Sequence, residues 1–595
     1  MTKKRWQSAL RFAIFFVTLA FVISTVFFID RSIWQGVITA KYFWFAIAMC
    51  LVLSYWSVML LFWKIKINLT DVILGLLMTY IELNYYVING NPSMHWWLFL
   101  LMLPLYAMIR TTCANRQLKS LALDVILIAV MIEAFWGLLQ LYGFTRSFHG
   151  LYKTTGSFFN PGPYSGFVAV GVPLALAYSL DTTLPAWKCW LGRITFLVAL
   201  LVLPAAMSRA AWLAAIAGSA AVLIITYQLK IKNFVFSKLP TNTIRIAAVI
   251  VGGFLLAALL AGTYLMKKDS ADGRWVIWQA STGIIKEHPL FGVGFGRFAS
   301  EYGNAQAKYF LSGKGSEAQM MVADSPEYAF NEYVQMVVEI GWVGLALFMA
   351  VIVCVFCSGN GTQASKEKCA LLAFLVFAAF SYPFSVLPLC ILFVFLLGIS
   401  ASSSKFYFTL PAWLKVAGLI IILFITIYSS CQILPKKKAY REWMSFQMLY
   451  NSNGYGSVVD HYKKWHPFLK HEKQFLFEYG QSLSKTGQHI ESNHIFEQYL
   501  HYGSDPMVYN CMGNNFKAME EYQKAEEAYI RASQIVPNRH YPLYLLMKLY
   551  EETGQTDKST DVAKILLEKP VKVMSTAIRE MQLDAKQLIK GENIE

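Results

Sequence analysis

The stretch "EYAFNEYVQMVVEIGWVGLALF" (327–348) decides the fold class. Its second half is an apolar run of the kind that crosses a bilayer. Its first half carries Glu327, Asn331, Glu332, Gln335 and Glu339 up to the mouth of that run. On a helix, Asn331, Gln335 and Glu339 recur every four residues and share one face. Polar and ionisable groups are costly inside a bilayer, so either this face lines a watery cavity or the segment is not a span.

The rest of the chain favours the membrane. Of 595 residues, 56% are hydrophobic and only 15% charged, against about half and about a quarter in soluble globular chains. The mean hydropathy is +0.44. Apolar stretches of about 20 residues, enough to cross a bilayer core, recur along the chain. They fall near 10–29, 43–63, 69–88, 94–110, 120–142, 163–182, 187–206, 211–228, 245–265, 333–356, 369–382, 384–401 and 411–431. The expected fold is all-α: a polytopic membrane bundle of about 12–13 spans. The apolar run after the basic start "MTKKRWQSAL" is too long for a signal-peptide core and has no small-residue cleavage site, so it reads as a retained first span.

The net charge of +16 points to cytoplasmic loops rather than nucleic acid, because lysine and arginine collect there. With the N-terminus inside, the inner loops "KIKIN" (64–68), "RTTCANRQLK" (110–119), "QLKIKNFVFSK" (228–238), "SKEK" (365–368) and "SSSK" (402–405) all carry basic residues. The loops 143–162 and 266–332, and everything after 432, are then expected outside. "PKKKAYR" (435–441) runs against this, but charges leading a long exported domain count for little. Most of the nine cysteines lie within spans. Cys354 and Cys357 are spaced CxxC but lack the second pair that a zinc site needs. No metal or redox role is expected.

After Leu434 the composition becomes that of a soluble helical domain, which divides the chain into a membrane domain (1–434) and a tail (435–595). Tyr509, Met512, Gly513, Phe516, Ala525, Tyr529, Ala532 and Pro537 follow the large–small–aromatic–Pro spacing of a tetratricopeptide repeat. Weaker copies flank them (Gly480, Leu483, Phe496; Leu543, Leu546, Tyr550). Stacked units of this kind bury faces that one unit cannot bury alone and commonly present a concave surface to a peptide or protein.

The long outer loop 266–332 is a candidate for function. The stretch from Arg274 to Ile285 reads as an amphipathic helix with Trp275 and Trp278, suited to the membrane interface. In "HPLFGVGFGRF" (288–298), Gly292, Gly294 and Gly296 are expected to turn tightly and let the backbone approach a ligand. A dinucleotide loop is rejected, since the strand–turn–helix context is missing. Arg209, in "SRAAWLA" (208–214), lies at an outer turn, either as an interfacial anchor or as a functional cation. "TTGSFFNPGPYSGF" (154–167) reads as a tight turn leading into a span, or simply a loop. Asp71, Glu82, Asp124 and Glu133 are intramembrane acids that, as a relay, would suit a transporter. The paired broken helices of a transporter repeat are not apparent.

"SRAAWLA" (208–214), "GRWVIWQ…IIKEHPLFGVGFGRF" (273–298) and "FNEYVQMVVEIGWVGLALF" (330–348), in this order and spacing, resemble the O-antigen ligase superfamily. That superfamily includes O-antigen ligases, O-antigen polymerases and bacterial protein O-oligosaccharyltransferases. "GSFFNPGPYSGF" and "SYPF" (381–384) are similar to family segments too, and the resemblance covers roughly 120–400. It implies an enzyme of the bacterial inner membrane with its tail in the periplasm. The enzyme would move a glycan from undecaprenyl diphosphate to an acceptor hydroxyl on protein, lipid A–core or a second glycan, without a cofactor. Arg209 and Arg274 would hold the diphosphate, since arginine offers a permanent charge and a bidentate fork.

The departure is Phe330, where most relatives place a histidine. Either Glu327 or Glu332 would then serve the acceptor, with Asp324 and His288 also on that face, or the diphosphate leaves readily enough that little base assistance is needed. Asn160, Arg297, Asn331 and Gln335 would bind substrate. The tail tilts the acceptor toward protein and offers a surface for a protein partner. A polymerase, or a non-catalytic scaffold working through the tail, is the alternative.

Overall fold

The computed structural model describes residues 3–62, 64–88, 90, 94–238, 262, 268–358, 366–403 and 406–592. Helices dominate. They are α1 Lys3–Ser24, α2 Thr39–Phe62, α3 Leu69–Val87, α4 Met94–Thr112, α5 Arg116–Leu141, α6 Pro161–Leu180, α7 Ala186–Ala205 and α8 Arg209–Lys238. Next come α9 Lys268–Glu287, α10 Phe298–Leu311, α11 Glu317–Val322, α12 Glu332–Cys357, α13 Lys366–Ala378, α14 Leu387–Ala401 and α15 Ala412–Asn451. Eight further helices follow: α16 Tyr455–Leu469, α17 Lys473–Lys485, α18 His489–Leu500, α19 Pro506–Ala518, α20 Tyr522–Ile535, α21 Tyr541–Glu552, α22 Thr556–Glu568 and α23 Thr576–Glu592. Two short strands, β1 Lys66–Asn68 and β2 Phe406–Thr409, pair antiparallel.

Every expected span but one coincides with a helix; the span at 245–265 lies outside the described residues. Among the described residues, seven helices are long and apolar enough to cross a membrane: α2, α5, α6, α7, the Arg209–Tyr227 part of α8, α12 and α15. Stretches of α1, α4 and α14 are apolar but shorter. The chain is a multi-pass, all-α membrane protein.

Helix α6 forms the centre, almost wholly buried, with α5, α7, α8 and α13 around it. Lipid tails are as apolar as leucine, so close backbone approach through small residues holds such bundles together. Gly166 faces the Phe377 ring, Gly171 faces Val130, and Gly192 sits on the Ala175 carbonyl. The acids do not form a relay. Asp71 accepts from Arg110 and from Tyr106 Oη, the latter at 2.9 Å. Asp124 pairs with Lys188 at 2.5 Å, and Glu133 accepts from Ser157 N–H at 3.0 Å. The first two tie different helices together, and the third ties α5 to the turn that leads into α6. Arg110 is 3% exposed, so Asp71→Asn strands a buried charge and is expected to cost about 3–5 kcal/mol, read as a lower unfolding temperature in detergent.

Two tertiary pairings bear on which segments share a side of the membrane. β1 and β2 come from two connections expected on the inner side and pair with each other. On the opposite expectation, the 268–331 region packs on the helices after 454: Gln306 Nε2 donates to Ile535 O at 2.6 Å, and Ser504 Oγ donates to Ala299 O at 2.8 Å. Those two regions therefore lie on a common side. α15 runs through position 434 without a break. Beyond it, Trp34 packs at a tilt against Trp443, ring centres 4.7 Å apart, and Lys437 faces Asp30 at 3.5 Å, tying the helix to the α1–α2 connection. In the tail each helix packs on the next, with Gly480 beneath Phe496 and Gly513 beneath Tyr529.

Candidate functional site

The opening stretch answers its own question in an unexpected way. Asn331 caps α12, its side-chain oxygen accepting from Tyr333 and Val334 N–H at 3.0 and 3.2 Å. Gln335 Nε2 donates to Glu339 at 3.2 Å, as the four-residue spacing predicts. The helix then breaks: Gly341 has φ 68° and ψ −177°, a backbone that only glycine adopts readily. The expected continuous span at 333–356 is two helical pieces.

A break within an apolar helix frees backbone groups, and each freed group is costly unless paired. The glycine loop supplies the partners. Val293 and Gly294 N–H donate to Val338 and Glu339 carbonyls, both at 2.9 Å, and Trp342 N–H donates to Pro289 O at 3.0 Å. Tyr80 Oη of α3 takes Ile340 O at 2.7 Å. Asn84 grips the loop at Phe291 O, 2.6 Å, and Phe295 N–H, 3.2 Å. Glu339 accepts from Gly296 N–H at 3.0 Å. The expectation that the glycines approach a ligand is therefore corrected: they approach the broken helix. A Cβ on Gly292 would lie 2.5 Å from the Glu339 carbonyl, and one on Gly341 2.0 Å from Leu290 O. Side-chain bulk, not charge, is what this wedge excludes. Glu339 serves it structurally.

Outside the break, α9 forms as the Arg274–Ile285 pattern predicts, burying Val276, Ile277, Ala280 and Ile284 and leaving Trp275 56% exposed. Arg274 and Trp278 are four residues apart and so share a face. Trp278 Nε1 donates to Ala329 O at 2.9 Å. Arg274 donates to Phe380 O at 2.9 Å, with its guanidinium 5.2 Å from the centre of the Phe330 ring. Phe330 itself has φ 52°, an uncommon conformation for a bulky residue and a sign of local strain. Tyr382 meets the Phe330 ring edge-on at 5.3 Å and stacks on Tyr328 at 4.6 Å.

Arg209 opens α8, just past a turn in which Met207 has φ 50° and Trp212 Nε1 donates to Leu203 O at 2.9 Å. Burial first, then the nearby Arg209 charge, pushes the Arg274 guanidinium down to about 10. It stays cationic at neutral pH. Among the described residues no carboxylate forms an ion pair with it. Two like charges held close together repel each other, which favours binding of an anion between them.

The other expected site residues are placed as follows. Glu332 is buried, one oxygen accepting from Phe384 N–H at 2.7 Å. Glu327 is exposed and pairs with Lys473 of the tail at 2.6 Å. Gln335 also accepts from Ala329 N–H at 3.1 Å. Arg297 pairs with Glu301 at 2.5 Å. Asn160 caps α6 through Gly162 N–H at 2.9 Å. The segment leading into α6 is a tight turn, its Thr155 and Gly156 N–H groups held by the Gln140 side chain at 2.8 and 2.7 Å. The structure thus brings Arg209, Arg274, Phe330 and, through Tyr382, Tyr328 together, while Arg297 and Asn160 are engaged in helix ends. The sequence reading missed Tyr328 and Tyr382. "SYPF" carried the signal for the second, but nothing marked the first.

The arrangement is that of a helical membrane protein with a cationic, aromatic-walled site at one end of its bundle. Residues 194–349, from α7 through the glycine loop to α12, match the family model described as O-Antigen ligase. This core is similar to that family, and the similarity points to O-antigen-ligase-like membrane glycosyltransferase activity. Among curated proteins no match is found.

Proposed function

We propose that this protein transfers a glycan from undecaprenyl diphosphate to an acceptor hydroxyl at the outer face of the bacterial inner membrane. The observation that carries this reading is the juxtaposition of Arg209 with Arg274, which is half-buried and, among the described residues, in no ion pair with a carboxylate. In the reaction the acceptor oxygen attacks the anomeric carbon, the carbon–oxygen bond to the diphosphate breaks, and the electron pair leaves on the phosphate. Fixed guanidinium groups stabilise that developing charge before it forms. Arg274, packed between Phe330 and the Phe380 carbonyl, presents its fork in one orientation.

The acceptor proton goes to a carboxylate of the 327–332 segment. Glu332, shielded and oriented by Phe384 N–H, suits that role; Glu327 is held by Lys473 at the tail. The amide NH₂ groups of Asn331 and Asn160 remain to donate to sugar oxygens, since their oxygens cap helices. Gln335 and Arg297 would contribute substrate contacts by exchanging their present partners. The tail forms a periplasmic tetratricopeptide-like domain (435–595) beside the membrane domain (1–434), and its presence favours a protein acceptor over lipid A–core.

The test is transfer by purified protein in liposomes carrying undecaprenyl-diphosphate glycan. Periplasmic protein, lipid A–core and a second glycan are offered separately. The labelled product names the acceptor. If an intact donor gives no transfer in any arm, the enzyme reading fails and a scaffold working through the tail replaces it. Phe330→His is expected to keep most of the activity, because histidine tolerates positive φ better than phenylalanine. The lost ring contact with Arg274 is worth only about 0.5–2 kcal/mol, so kcat and donor KM together report its effect.

A further inference from the structure

The stretch from Met320 to Asn331 is a strap between the tail and α12, and it is tied along its length. Asn538 Nδ2 donates to the carbonyls of Met320, Met321 and Ala323 at 3.0, 3.2 and 2.8 Å. Gln306, fully buried, donates to Asp324 O at 3.0 Å and to Ile535 O at 2.6 Å, with Tyr302 Oη donating to its oxygen at 2.6 Å. Arg539 faces Asp324 at 3.3 Å, and Lys473 meets Glu327 at 2.6 Å. The next anchors belong to the membrane domain: Trp278 on Ala329 O, Gln335 on Ala329 N–H, and Asn331 at the head of α12. Tyr328 sits between the two sets of anchors, and Phe330 sits within the second, at φ 52° over Arg274.

A strained backbone persists only where its surroundings over-determine it. The segment that leads into this one, residues 320–327, is held by the tail. Hydrogen bonds to strap carbonyls are a different device from a groove left open for a peptide, since each bond is spent on the chain itself. We infer that the C-terminal helical domain is a positioning element of the transfer site, holding the 320–331 strap through Asn538 and Lys473 so that Phe330 lies over Arg274. Asn538 and Lys473 are positioning residues, acting through the strap. The inference rests on the transferase reading for its kinetic consequence but not for its structural one.

The experiment uses the full chain in lipid nanodiscs, comparing wild type, Asn538→Ala, Lys473→Glu, and Lys473→Glu combined with Glu327→Lys. Hydrogen exchange is followed at the amides of 320–331. Loss of hydrogen bonds of ordinary net strength is expected to speed exchange there about tenfold, with exchange in α12 and in α16–α19 unchanged. The charge swap is expected to bring exchange back toward wild type. In the transfer assay the same single variants are expected to lower kcat about tenfold by disordering the reacting segment, with acceptor KM altered less than about twofold.

Unchanged exchange at 320–331 in Asn538→Ala would overturn the inference. So would a variant in which acceptor KM rises while kcat holds, since that is the behaviour of an acceptor-capture domain. If wild type transfers nothing, the transferase reading falls, and the exchange data still decide whether the tail holds the strap.

Discussion

Arg274→Ala is expected to lower glycan transfer by about 10²–10³-fold, the usual loss when one preorganised stabiliser of developing negative charge is removed. The variant should still fold, because the side chain's anchors are one carbonyl, Phe380 O at 2.9 Å, and one ring face. Arg274→Lys restores a charge without the planar fork, so only part of the activity should return. Inorganic diphosphate offers a check that needs no turnover. It should raise the unfolding temperature of wild type, since a ligand that binds only the folded state stabilises it, and leave Arg274→Ala unmoved.

The pH dependence has a definite sign. The Arg274 pKa is depressed to about 10 by burial and by Arg209, so the cation is present below that pH and is lost above it. Transfer should fall as pH rises through about 10, where an ordinary arginine would remain charged. Full transfer by Arg274→Ala would end the case for a diphosphate site built on this residue.

The second large effect lies away from the chemistry. Gly341→Ala forces a side chain into φ 68° and brings its Cβ 2.0 Å from the Leu290 carbonyl. The backbone conformation costs roughly 1–3 kcal/mol, and intrusion into a packed contact costs roughly 1–3 kcal/mol more. The variant is expected to lose its folded form at a much lower temperature in detergent. Gly344→Ala is a useful contrast: there the crowding comes from one side chain, Ile340, rather than from backbone, and φ is not in the left-handed region. A Gly341→Ala protein as stable as wild type would mean that α12 can close its break and run continuous.

Much of the molecule was legible in the chain, and for identifiable reasons. Hydropathy locates helices because a bilayer demands long apolar runs, and the expected spans fall on helices wherever the structure describes them. The four-residue spacing of Asn331, Gln335 and Glu339 foretold the Gln335–Glu339 bond, since helical neighbours are a matter of local geometry. Arg209 and Arg274 stood out because a cation beside an apolar run needs a reason to be there. The glycine loop was conspicuous but was read toward the wrong partner. Closeness of approach is written in glycines; the identity of what approaches is not.

Local rules thus determined a multi-pass helical protein, its amphipathic α9 and its two suspect arginines. Tertiary structure alone decided that α12 breaks at Gly341, because the break is stable only when Tyr80 and the loop at 289–294 supply its missing hydrogen bonds from far along the chain. It alone decided that Phe330 lies over Arg274 and that Lys473 and Asn538 tie the tail to the strap. These partners stand 56 to 218 residues apart by the numbering. No periodicity spans such a separation, and only packing can bring the groups together.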